Sequence, residues 1–328
     1  MLLPISYSGQ GVAGINGGLA ERVWDFPDTT LVSPYLAISQ MVGRAESIHV
    51  IPSAGFRYYS HNRFEDKAAP QAGLVLGYNN TDLSFNYSRG VNYPSPIVLM
   101  NMVVTNTSVS DPARYWKGIK PEVVDHYEVG LTHTWPELAS ISATVFYDRG
   151  KDRFQAYMYG TIPTQFNDPI GRYRIRGLEF TGRVKPVKKF ELFAGATVLN
   201  AKATGGNGVE CNHLPYTPGF QIQAGADWTF LDNFRLFTDV QHLSNLYQGT
   251  DSRGNNLNFT QLTDKDKLDD MTLVNARLSY RFDYQPLRMN ESEVYIAINN
   301  IFNEHYEYSK GYSMPGTTVF AGFTMKLQ

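Results

Sequence analysis

"LVNARLSYRF", residues 273–282, places Val274, Ala276, Leu278, Tyr280 and Phe282 on one parity and Asn275, Arg277, Ser279 and Arg281 on the other. A repeat of two means an extended strand with one apolar and one polar face. The same alternation runs through "DLSFNYS" (82–88), "ISATVFYD" (141–148), "FQIQAGADWTF" (220–230), "EVYIAIN" (293–299) and "TVFAGFTMKL" (318–327). Helical spacing at i, i+3 and i+4 is missing, so the expected fold is all-β. Two architectures use such strands. A soluble sheet turns its apolar face to its own core, whereas a transmembrane barrel turns it to lipid and keeps the polar face in the lumen.

Composition narrows the choice. The chain has 328 residues, enough for two ordinary domains or one large barrel. A formal net charge of −2 gives no electrostatic reason for a polyanionic partner, so nucleic acid is not expected. No run of eighteen apolar residues is present, and mean hydropathy is −0.31. That excludes a transmembrane helix but not a barrel, whose strands are half polar. The opening "MLLPISYSGQGVAGINGG" lacks the basic start, apolar stretch and cleavage site of a secretory signal peptide. One cysteine, Cys211, rules out an intrachain disulfide and a cysteine-based metal site, leaving a lone loop thiol as its simplest reading.

Strands are expected near 31–42, 47–60, 70–79, 81–90, 124–135, 139–156, 170–185, 189–202, 218–230, 233–245, 271–283, 292–302 and 316–327. Ile175 and Leu178 stand three apart across Gly177, which suggests a β-bulge there. The connections alternate in length. "GRAES", "NNT", "PEL", "KPVKK", "LDN" and "YQPLRMN" are short, while 61–69, 91–123, 157–169, 203–217, 246–270 and 303–315 are long. Outer-membrane barrels have this asymmetry, with tight periplasmic turns and long outer loops. Aromatics make up 13% of the chain and mark strand ends. Tyr127 and Trp135 share a face eight residues apart, about 20 Å along the membrane normal for a tilted strand. Phe220 and Trp228 repeat that spacing. Aromatics capping a soluble core are the competing reading, and the charge and glycine on the polar face favour a watery lumen over it. His133, beside Trp135, is read as interfacial rather than metal-binding.

"IKPEVVDHYEVGL", "ATVFYDRGKDRF" and "YRIRGLEFTGRV" resemble consecutive strands of the TonB-dependent outer-membrane receptors. "LVNARLSYRF", "AINNIFNEHYE" and "PGTTVFAGFTMKL" resemble the last three strands of that family, and "SPYLAIS" and "LSFNYSRGVNYPSP" resemble earlier ones. The likenesses follow family order from about residue 31 onward. They imply an antiparallel transmembrane barrel of about twenty-two strands, of which this chain holds some thirteen or fourteen. Residues 1–30 are expected to be a partial extracellular loop or incomplete strand, and 31–328 the C-terminal part of the barrel, with the plug domain absent. Thr317 stands where the family often has an arginine after "PG".

The resemblance implies a bacterial outer-membrane protein that takes up a ferric siderophore or similar nutrient. Its partners would be outer-membrane lipid, the ferric chelate, and TonB and the plug through the missing N-terminal part. By position, Arg89, Asn92, Tyr93, Arg172 and Arg174 are candidate ligand contacts on the lumen or extracellular side. The plainer alternative pairs these arginines with lumen carboxylates such as Glu128 and Glu179. Arg277 and Arg281 lie nearer the periplasmic end, where a plug would be contacted. No HExxH, GxSxG or P-loop motif occurs, the seven histidines lack ligand spacing, and no catalytic residue, metal or cofactor is expected. The leading expectation is a truncated receptor barrel inactive alone. An autonomous passive pore is the alternative, and an outer-membrane hydrolase lacks any Ser/His pairing.

Overall fold

The computed structural model describes residues 29–94, 119–153, 157–159, 162–165, 170–204, 210–248, 266–287 and 289–326. The expected opening segment 1–30 and most of the long connections lie largely outside these residues. The first strands are β1 (Leu31–Val32), β2 (Tyr35–Ser39), β3 (Val42–Gly43), β4 (Ile48–His61), β5 (Lys67–Tyr78) and β6 (Thr81–Asn92). Next come β7 (Glu122–Trp135), β8 (Ala139–Arg153), β9 (Tyr157–Tyr159), β10 (Ile162–Gln165), β11 (Ile170–Val187) and β12 (Phe190–Thr204). Last are β13 (Glu210–Cys211), β14 (Phe220–Phe230), β15 (Phe234–Ser244), β16 (Met271–Tyr284), β17 (Met289–Asn299) and β18 (Thr318–Thr324). A sixteen-stranded antiparallel sheet takes all except β9 and β10, which pair with each other. Its order in space follows its order in sequence. Among the described residues, β1–β3 pair only with β4, and β18 only with β17. Among the described residues no helix is long and apolar enough to cross a membrane.

The expected first strand, 31–42, is divided into β1, β2 and β3, yet all three keep one register against β4, from Leu31↔His61 to Val42↔Val50. The breaks fall at prolines. Pro34 has no N–H to give, although its carbonyl accepts from Tyr58 N–H at 3.1 Å. Gln40 stands opposite Pro52 and donates to its carbonyl at 3.3 Å, with nothing returned.

The short connections are all present, and left-handed residues close several: Asn79, Glu137, Leu231 and Asp232 have φ between 47° and 61°. One long connection is shorter than expected. β4 runs to His61 and β5 begins at Lys67, so 61–69 is not a long loop and only 62–66 connect the two strands.

The expected bulge at Gly177 is also corrected. Pairing continues residue by residue through Gly177 to both β8 and β12, and the irregularity in β11 lies between Val184 and Val187. Ile175 and Leu178 step by three because they serve opposite faces. Gly177 is there for space: a Cβ would lie 2.2 Å from the Phe146 ring and 2.8 Å from Leu199.

The two faces divide cleanly. Leu131, Trp135, Val145, Leu178, Val198, Trp228 and Ile296 all point to the apolar face and are 42–60% exposed. Two aromatic rows bound that face. At the short-turn end Phe190, Trp228, Phe230, Phe234, Tyr280, Phe282 and Phe323 touch in sequence, with centroids 4.8–6.4 Å apart. At the other end Tyr87, Tyr127 and Tyr147 do the same at 5.1 and 6.4 Å. His133 packs edge-on against Trp135 at 4.2 Å. Paired aromatic girdles around an exposed apolar band are the anatomy of a transmembrane barrel wall, whose other face lines the lumen.

Candidate functional site

The lumen face carries the chemistry, and it is layered along the strands. At the long-loop end, Glu122 of β7 is held by two donors: the Tyr173 hydroxyl at 2.7 Å and Asn92 Nδ2 at 3.3 Å. Tyr173 lies flat over Gly150 of the neighbouring strand, where a Cβ would meet the ring at 2.0 Å. It is buried in an apolar cluster with Ala201, Ala203, Cys211, Leu214 and Tyr247. Cys211 is therefore a packed thiol in β13 rather than a loose loop residue. In a second, smaller cluster around Phe64, Tyr93 stacks on His61 at 4.9 Å and donates its hydroxyl to the Glu65 carbonyl at 2.8 Å. Burial pushes the Tyr93 phenol up to about 12, so it stays a neutral donor at physiological pH.

Deeper in the lumen, Asn86 Nδ2 donates to Glu128 at 3.1 Å, and His126 lies 2.6 Å from Asp148 and 3.4 Å from Glu128. Toward the short turns the face becomes a belt of paired charges. Glu191 receives Arg183 at 3.0 Å and Lys185 at 3.1 Å. Asp227 takes two guanidinium nitrogens of Arg235, Nε and Nη2. Glu293 takes Arg277 and Arg281. Arg277 also lies over the Tyr295 ring, 3.9 Å from its centroid. Each acid in the belt is thus held by one or two cations from the same or a neighbouring strand. This face offers fixed donors and acceptors, with no nucleophile activated by a base among the described residues. It can bind and guide a polar solute or a polar protein surface.

The candidates taken from sequence separate. Asn92 and Tyr93 join the lumen mouth, held as described above. Arg89 does not: it lies on the apolar-face parity and grips Asp125 with two bonds of 2.7 and 3.0 Å, supported by the Tyr87 hydroxyl at 2.9 Å. Arg172 and Arg174 share that outward parity with Leu178 and Phe180 and are exposed. Pairing of these arginines with Glu128 and Glu179 is therefore corrected. Those carboxylates point to the opposite side of the sheet, and Arg89 uses Asp125 instead. The reason is parity alone, since β11 reads Arg172, Arg174, Arg176, Leu178, Phe180 on one face. Sequence reasoning sent the arginines to the lumen by chemistry when their spacing sent them outward. It also missed Glu122, Tyr173 and the His126 trio, whose even-numbered positions in "EVVDHYEV" were the available signal for Glu122, His126 and Glu128.

Comparison with known proteins bears on this wall. A family described as TonB dependent receptor-like, beta-barrel, matches residues 47–301. Among solved structures, the ferric citrate transporter FecA in its unliganded form superposes with a TM-score of 0.65 at 15% identity, over 89% of this chain and 44% of that one. The copper transporter OprC gives 0.64 at 14% identity, over 90% and 50%. The ferric-catecholate import receptor Fiu from K12 E. coli gives 0.62 at 15% identity, over 91% and 45%. The chain thus spans half or less of the length of these relatives. No curated protein matches it in sequence. Receptors of this kind sit in the bacterial outer membrane and transport rather than transform their ligands. The family model covers most of the chain and the fold agrees with it: the chain belongs to the TonB-dependent receptors, as part of their β-barrel.

Proposed function

We propose that this chain forms part of the wall of an outer-membrane importer that takes up a ferric siderophore or similar nutrient, with TonB supplying the driving force through a plug held in the lumen. The single observation that carries the reading is the division of the two faces. An apolar band lies between aromatic rows on one side, and a graded polar lining lies on the other. Asn92 and Tyr93, with His61 and Glu122 beside them, form the mouth that would meet the cargo first. The charge belt of Glu191, Asp227, Arg235, Arg277, Arg281 and Glu293 would face the plug. Receptors of this family transport their ligands rather than transform them, and the reading of this chain as a transporter follows that family.

Deletion of the gene in its host, with uptake of a panel of radiolabelled ferric chelates measured before and after collapse of the proton gradient, tests the proposal. The expected result is loss of one chelate's gradient-dependent uptake in the deletion strain, restored by the intact gene and weakened by Tyr93→Ala. Uptake that persists without the gradient, together with steady channels in planar bilayers, would mark a passive pore instead.

A further inference from the structure

The outer connection between β17 and β18 is closed on itself in three tiers. At its base Asn300 is buried and every polar atom of it is used. Its Nδ2 donates to the carbonyls of Glu304 at 2.8 Å and Pro315 at 3.4 Å, and its Oδ1 accepts from Glu304 N–H at 2.8 Å. The Asn300 carbonyl accepts from the Thr317 hydroxyl at 2.7 Å, and Thr317 N–H donates to Asn303 Oδ1 at 3.1 Å. Asn300 and Asn303 have left-handed φ of 52° and 55°, which asparagine tolerates better than most residues with a Cβ. In the stem Met314 N–H donates to the Tyr306 carbonyl at 3.0 Å, and Glu307 pairs with Ser313. At the tip both Glu307 carboxylate oxygens are engaged, by Gly311 N–H at 2.9 Å and the Ser313 hydroxyl at 3.4 Å. Tyr306 and Tyr308 pack edge to face at 5.5 Å, and Tyr308 and Tyr312 are exposed.

The base is also fastened to the lumen wall. Asn300 N–H donates to Asn275 Oδ1 at 3.0 Å. Asn275 lies on the lumen side of β16, opposite Asp239 of β15, and gives its own Nδ2 to Asp239 Oδ2 at 3.0 Å. Gln241 Nε2 reaches the same oxygen at 3.0 Å. The Asn275 side chain is therefore an acceptor toward the connection and a donor toward the wall. A carboxylate on the wall side fixes which way its amide points. Asp239 is buried, and a bond to a carboxylate is stronger than one between neutral groups. The chain of bonds runs Gln241, Asp239, Asn275, Asn300, and from Asn300 into both limbs of the outer connection.

A surface that is already in shape loses less freedom when it binds. We infer that Asp239, Asn275 and Asn300 are positioning residues of the mouth: they hold residues 300–317 as a preset arm, on which Tyr306, Tyr308 and Tyr312 stand in place before any cargo arrives. None of the three needs to touch the cargo. The fixed amide of Asn275 is the joint between the lumen wall and the arm. The inference takes the outer mouth as the cargo's entry from the function proposed above, while the first part of its test needs no cargo.

The test is amide hydrogen exchange of the purified protein in detergent, read over residues 304–314. Asn275→Ala is expected to speed exchange there about tenfold, as the loss of one buried hydrogen bond would. Asn275→Asp keeps an acceptor for Asn300 but sets a second carboxylate against Asp239, and is expected to loosen the arm as much. Asp239→Asn/Asn275→Asp again places one amide against one carboxylate and is expected to restore the parental rate. Gln223→Ala, opposite Gln241 on the same face and outside the chain of bonds, is expected to change nothing. Heat-modifiable gel mobility reports the folding of each variant separately. A folded Asn275→Ala with the parental rate, or a double variant as loose as Asn275→Asp alone, overturns the inference. In cells, uptake of a panel of radiolabelled ferric chelates is then measured against concentration. Asn275→Ala is expected to need about tenfold more chelate for half-maximal uptake at an unchanged maximal rate. A fall in maximal rate alone overturns the positioning role. A panel from which deletion of the gene removes no uptake overturns the importer reading, and the exchange rates still decide whether the arm is held as inferred.

Discussion

The two faces of β8 differ in how they deal with charge. On its lumen side Asp148 is met by His126, and elsewhere on that face Glu191, Asp227 and Glu293 are each held by arginine or lysine. On its outer side Ile141, Ala143, Val145 and Tyr147 are apolar or aromatic, and then Arg149 and Lys151 follow; Asp125, opposite Arg149, is gripped by Arg89, and among the described residues no carboxylate forms an ion pair with Arg149 or Lys151. Among the described residues the lumen acids named here are each met by a cation or an imidazole, while the outer face pairs Arg89 with Asp125 and leaves Arg149 and Lys151 without an ion-pair partner. Parity decides which face a residue joins. Height along the strand decides what that face must be made of.

The sharpest way to break this comparison is to put one charge on each face at the same height. Leu131, midway between Tyr127 and Trp135, is 50% exposed on the apolar face. Leu131→Arg is expected to cost about 2–4 kcal/mol in denaturant unfolding from lipid vesicles. Thr132→Arg, on the lumen side next door, is expected to cost about 1 kcal/mol, largely for the lost contact with Ser142. Equal costs would refute the assignment of faces. Next in size is Gly150→Ala, which drives a methyl into the Tyr173 ring. A loss of about 1–3 kcal/mol is expected, with unaltered stability as the refuting outcome.

Smaller effects refine the picture. A double-mutant cycle on Arg89 and Asp125 is expected to give a coupling of about 1 kcal/mol, since the pair is only half sheltered. Additive single mutants would show that the two bonds add nothing. The smallest effect expected concerns Asp66, in the connection between β4 and β5. The backbone N–H of His61 and then the Tyr58 hydroxyl donate to its carboxylate and hold it below the usual range. A depressed folded value stabilises above the unfolded one, near 3.9, and that contribution fades as pH falls through the folded value. Thermal unfolding of Asp66→Asn between about pH 2 and pH 7 should therefore show a flatter acid side than the parent. Superimposable acid limbs would refute it.

Much of this was legible in the chain. The alternation in "ISATVFYD" and "FQIQAGADWTF" placed residues on faces, and the short turns placed the strand ends. Two things were not legible. Gly177 reads as a break in pattern because its reason, the Phe146 and Leu199 side chains crossing above it, comes from neighbouring strands. Which residues stand opposite one another depends on register between strands, which hairpin lengths fix only in space, so the meeting of Asp239 and Asn275 could not be read from either segment alone. The outward course of Arg172 and Arg174 was available by counting from Leu178, and chemical expectation overruled the count.

The sheet's spatial order repeats its chain order, and this bears on how such a wall is assembled. Each hairpin finds its partner in the segment made just before it, so the search between distant parts of the chain is short and closure entropy stays low. Growth by addition of one hairpin at a time then suffices, each new strand being templated by the last. A register error in one hairpin would be handed on to the strand templated by it, so correct pairing at each step fixes the faces of the next.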